Sequence, residues 1–79
     1  MNAVTMTLPT LDDIAERLTK LADFYREHRP SLRTMRVYRA DLARLKATHA
    51  TQCRKYGFNR LRNGKYEFLG YLLIPHVED

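Results

Sequence analysis

Tryptophan is absent from this chain, cysteine occurs once, and glycine and proline occur three times each. A single cysteine cannot close an internal disulfide, which excludes a cross-linked scaffold and suits a reducing, cytoplasmic setting. Long apolar runs are missing too. The longest, Phe68 to Ile74, is seven residues, against the ~20 that cross a bilayer. No basic segment precedes an apolar one near Met1, so no signal peptide and no membrane partner are expected. The three glycines are scattered as Gly57, Gly64 and Gly70, without the spacing of a phosphate-binding or dinucleotide-binding loop. With 79 residues the chain is expected to form one small domain, 1–79, with a thin core.

Catalytic chemistry is equally sparse. His49 and Cys53 stand four apart on one expected helical face, a spacing that suits two metal ligands or a nucleophilic pair. Zinc wants four ligands, however, and His28 and His76 are isolated in sequence. Both His49 and Cys53 also fall in an apolar stripe, where a free cysteine behaves as a small hydrophobe. The expectation is therefore no catalytic residue, no metal and no cofactor, and a protein that is not an enzyme.

What is abundant is positive charge, and it is unevenly placed. Residues 1–28 hold three basic and five acidic groups, and residues 66–79 hold three acids. Residues 29–65 hold eleven basic groups against one acid, Asp41. So basic a block repels itself unless an acidic surface compensates it.

The chain divides as 1–9, a short strand or tail; 10–29, a first helix; 31–56, a second helix; 58–74, a β-hairpin; and 75–79, a tail. In the first segment Val4, Met6 and Leu8 alternate with threonines, the period of a strand. Thr10 can cap the first helix, whose apolar face is Leu11, Ile14, Ala15, Leu18, Leu21, Ala22 and Tyr25. Asp13–Arg17 and Glu16–Lys20 are spaced as helical ion pairs, and Arg29-Pro30 ends the helix. For the second helix Ser31 or Thr34 can cap, and Met35, Tyr38, Leu42, Leu45, His49, Cys53 and Tyr56 keep one helical register up to Gly57. Thr48 and Thr51 weaken helix propensity, leaving a break near 47–51 as the alternative. Ala40, Ala43, Ala47 and Ala50 would form a second stripe on such a helix, open to close approach by a partner. Asn63-Gly64 predicts a two-residue turn that sets Leu61 opposite Tyr66. Leu61, Tyr66, Phe68, Leu72 and Ile74 would then face the core. Residues 71–74 would still need a strand partner, from Ala3–Leu8 or from a second chain.

The fold class expected is α+β: a helical hairpin, with one long basic amphipathic helix, packed on a small antiparallel sheet in the order β-α-α-β-β. A break near Thr48 would give a winged-helix-like arrangement instead. Two functions compete. The first is a small nucleic-acid-binding protein, for DNA or RNA, whose cations contact phosphates. The second is a protein-binding adaptor or inhibitor, of the kind mobile elements encode, docking a basic or alanine-rich helix face or a strand edge on an acidic protein surface. The candidate contact residues are Arg36, Arg39, Arg44, Lys46, Arg54, Lys55, Arg60, Arg62 and Lys65. The thin core and unused surface also point to a homodimer.

Overall fold

The structure is a computed structural model and describes residues 8–76. Apart from Leu8, the N-terminal strand expected at Ala3–Leu8 lies outside the described residues, as does the tail beyond His76. The molecule is an α+β fold in which a helix packs on a four-stranded mixed sheet.

Helix α1 spans Leu11–His28 and follows its sequence signals closely. Thr10 is extended, and its hydroxyl accepts the Asp13 amide at 3.1 Å, satisfying one of the orphan donors of the first turn. Arg29 ends the helix just before Pro30. Ile14, Leu18 and Ala22 are buried. Glu16 pairs with Lys20 at 3.6 Å as its spacing requires. Arg17 turns away from Asp13 to a different partner, described below.

The second helix expected over residues 31–56 is not one helix. Thr34–Val37 form strand β1, Arg39–Lys46 form α2 and Ala50–Lys55 form α3. The apolar positions Met35 and Val37 alternate with exposed Arg36, so this stretch satisfies a period of two as well as a helical one. Tertiary pairing decides between them: β1 runs parallel to β4, residues Tyr71–Pro75, with Met35 beside Leu73 and Val37 beside Pro75. Residues 71–74 thus find their partner in β1. The break also splits the alanine stripe: Ala47, the C-cap of α2, still bonds to Ala43, whereas Ala50 begins α3. Tyr38 and His49, both assigned to the core stripe by periodicity, are exposed and stand as the N-caps of α2 and α3.

The C-terminal ribbon also departs from expectation. Strands β2, Phe58–Arg60, and β3, Tyr66–Phe68, pair antiparallel with Arg60 opposite Tyr66. This is one residue away from the register of a two-residue turn. Leu61 N–H donates to Lys65 O at 2.7 Å and Gly64 N–H to Leu61 O at 3.0 Å. Gly64 is left-handed, with φ 84°, and Asn63 is not. That is a three-residue loop closed by a glycine bulge, which needs only one positive φ where a type I′ turn needs two. The tight turn lies further on, at Leu69-Gly70, where both residues have positive φ, 52° and 88°. It reverses the chain so that Phe68 pairs with Tyr71. Tyr71 and Leu73 therefore face the core, while Leu72 and Ile74, expected inside, lie on the opposite face half-buried, and Leu61, also expected inside, is exposed beside the loop.

The sheet order is β1-β4-β3-β2. Met35, Val37, Phe58, Tyr66, Phe68, Tyr71 and Leu73 are buried on one face, against Ile14, Leu18 and Ala22 of α1, Leu45 of α2 and Cys53 of α3. Phe58 stacks on Phe68 across the β2–β3 pair, with centroids 4.4 Å apart, and Tyr25 of α1 meets Tyr71 edge-on at 5.9 Å. Thr34, Arg36, Asn59, Glu67, Leu72 and Ile74 occupy the other face, which no helix covers among the described residues.

Candidate nucleic-acid interface

At the end of α2 the last carbonyls accept side chains. Thr48 Oγ1 donates to Arg44 O at 2.6 Å, a local bond that competes with helix continuation. The carbonyl of Leu45 accepts both the Cys53 thiol, at 3.5 Å, and the buried Tyr66 hydroxyl, at 3.3 Å. His49 is extended, and its Nδ1 accepts the Thr51 amide at 3.2 Å, which starts α3. Two short helices joined by three residues, 47–49, result. Strands β2 and β3 follow at once through Tyr56-Gly57. Cys53 is 1% exposed. Burial pushes its thiol pKa up, partly offset by the nearby positive charge of Arg60.

At the start of α2, Asp41 is 1% exposed, and both its oxygens accept from Arg17 of α1, at 2.7 and 2.8 Å. The Arg17 guanidinium also lies 5.1 Å from the centroid of the Tyr38 ring. The bidentate bond to Asp41 raises the Arg17 pKa and so keeps the guanidinium charged. The one acid of the basic block is thereby committed to a cation from outside the block. Among the described residues, none of the eleven Lys and Arg of residues 29–65 makes an ion pair.

These cations divide by position. Arg54 and Lys55 are exposed in the last turn of α3. Arg60 ends β2 close to Cys53, and Arg62 and Lys65 stand exposed on and beside the loop that follows. Lys46, at the end of α2, shares a shallow groove with Gly64, Lys65 and the end of β4. The fold therefore gathers Lys46, Arg54, Lys55, Arg60, Arg62 and Lys65 on the α3 and hairpin part of the molecule. Three candidates lie apart. Arg36 projects from the uncovered sheet face. Arg39 begins α2. Arg44 donates from Nε to Pro9 O at 2.8 Å, tying the approach to α1 onto α2. Exposed Thr51 and Gln52 on α3 join the surface without having been singled out on the unbroken helix. The sequence signal was the low helix propensity of Thr48 and Thr51, which marks the break that sets these residues on a separate helix. On the flank of α3 away from the hairpin, Asp12 lies near Tyr56, and its negative charge, then a hydrogen bond, raise the phenol pKa.

No group of three or more His, Cys, Asp or Glu able to hold a metal occurs among the described residues, and no described helix is long and apolar enough to cross a membrane. Compared with known proteins, the chain matches no family model, and no curated protein or solved structure is significantly similar to it.

Proposed function

We propose that this protein binds nucleic acid without catalysing a reaction, and that duplex DNA is its ligand. The observation that carries the reading is the group of cations without ion-pair partners on α3 and the β2–β3 loop, set beside a helix–turn–helix of α2 and α3. In this reading α3 lies in a major groove, with Thr51 and Gln52 within reach of base edges. The β2–β3 loop acts as a wing, its Arg62 and Lys65 on the phosphate backbone. What supports a winged-helix-like reading is that three helices precede the β2–β3 hairpin, with strand β1 inserted after the first. Strand β4, between β1 and β3, is an addition to that arrangement. The short length of α3, six residues, favours a ligand held mainly by phosphate contacts.

Fluorescence anisotropy with labelled duplexes over a salt series tests the reading. Three to five phosphate contacts predict a slope of log K on log salt of about −3 to −4, hence about a hundredfold weakening between 50 and 200 mM salt. Replacing Arg62 and Lys65 together by alanine should weaken binding on every sequence and flatten the slope by about two. Absence of duplex binding at 50 mM salt, or a double variant that binds as well as the parent, would overturn it.

A further inference from the structure

Strand β1 is one edge of the sheet. In its parallel ladder with β4, Leu72 N–H donates to Arg33 O at 2.9 Å and His76 N–H to Val37 O at 2.8 Å. Donors and acceptors alternate sides along a strand, so the backbone groups of Met35 and Val37 also face β4. Those of Thr34 and Arg36 face outward. No described residue bonds to these two N–H and two C=O groups. The outer edge is not a flat, solvated rim. It forms the floor of a groove lined by Phe24, Arg29, Leu32, Thr34, Arg36 and Ile74. Phe24, its ring 4.5 Å from that of His28, is still 52% exposed on the groove wall, a large apolar side chain. Arg29 and Arg36 stand in the same groove without an ion-pair partner among the described residues.

We propose that this groove takes an extended, acidic segment of a partner protein as a fifth strand beside β1. Thr34 and Arg36 would supply main-chain hydrogen bonds, Arg29 and Arg36 would pair with carboxylates, and Phe24, Leu32 and Ile74 would receive an apolar side chain. Strand addition draws affinity from the backbone and selectivity from side-chain pockets at alternate positions. Charge decides the occupant. A second copy pairing β1 with β1 would bring Arg36 and Arg29 of both copies together, and like charges across a strand pair are destabilising. A nucleic acid would satisfy the two arginines but leave the strand edge and the apolar wall unmatched. The surface is separate from the α3–hairpin group, so the proposal stands without the nucleic-acid reading.

The test uses the full chain, isotopically labelled, and three acetylated and amidated eight-residue peptides. One alternates valine with glutamate, one alternates valine with lysine, and one is all glutamate. The valine–glutamate peptide should shift the amide resonances of Thr34 and Arg36 saturably. It should bind about tenfold or more tightly than either control, and Arg29→Glu with Arg36→Glu should weaken it by a similar factor. Thermal melts of that variant should match the parent, since both side chains are exposed. Equal binding of the all-glutamate peptide would reduce the groove to a general polyanion site and overturn the proposal. Concentration-dependent shifts of the same amides without peptide would assign the edge to a second copy instead. No shift with any peptide at millimolar concentration would also overturn it.

Discussion

Two parts of this molecule carry charge in opposite ways. On α1 every Lys and Arg finds a partner close by: Lys20 with Glu16, Arg26 with Asp23, and Arg17 with Asp41. Along α3 and the hairpin, the cations face solvent with no such partner among the described residues. The first two pairs are exposed and contribute little, about 0–1 kcal/mol each. The Arg17–Asp41 pair differs because Asp41 is buried and cannot fall back on water. The contrast separates charge that fixes the fold from charge that the fold leaves available.

The strongest way to break this contrast is to remove the cation of the buried pair. Arg17→Met leaves Asp41 charged and enclosed, and chemical denaturation should show a loss of about 3–5 kcal/mol. Asp41→Asn should cost less, because Arg17 is 38% exposed and can turn to water. The double variant Arg17→Met with Asp41→Leu should regain most of the loss. If Arg17→Met costs no more than Asp41→Asn, the pair is not the anchor described here.

A middle-sized effect is expected at the β3–β4 turn. Leu69 holds a left-handed φ of 52°, a conformation that costs a β-carbon residue roughly 1–2 kcal/mol. Leu69→Asn or Leu69→Gly should raise the melting temperature by several degrees, a gain of about 1 kcal/mol. The turn adjoins Arg26, Pro30 and Arg33 rather than the hairpin loop, so salt-dependent duplex binding should not change with it.

Ionic strength gives a smaller, sharper test. If partnerless cations dominate the surface, their repulsion is screened as salt rises from about 10 to 150 mM, and stability should increase by less than about 1 kcal/mol. A melting temperature that falls instead would mean that the exposed pairs of α1 outweigh the basic block.

The smallest effect concerns Cys53, whose folded pKa lies above the ordinary thiol value of 9.0. The unfolded chain then releases this proton first as pH rises. The contribution of the thiol is full below about 9 and is lost from there up to the folded pKa. The parent should lose stability more steeply than Cys53→Ala above pH 9, whatever their difference at pH 7.

Helix α1 was readable because every local signal agreed: a threonine cap, one apolar face, and a stop before proline. Gly57 likewise has the positive φ expected after a helix, 94°. The region 31–56 misled because two periods fit the same letters. Met35 and Val37 suit a strand, Met35, Leu42, Leu45 and Cys53 suit a helix, and only pairing with β4 chooses between them. Register in the ribbon failed for a similar reason. Asn63-Gly64 suggests a two-residue turn, but the tight turn falls on Leu69, a residue with little preference for it. One shift of register moves every later side chain to the other face. Of the candidate site, the cations were visible in the sequence. Their division into a gathered set and the separate Arg36, Arg39 and Arg44 depends on the helix break.

The Leu45 carbonyl, which receives a thiol from α3 and a phenol from β3, has a practical meaning for anyone borrowing parts of this fold. A peptide of residues 39–55 moved to another scaffold would lose Tyr66, and with it one of the two side-chain bonds to that carbonyl at the end of α2. The α2–α3 pair is thus not portable without the ribbon behind it. A transplant should extend to Phe68, whose stacked ring also closes the base of the pair it carries.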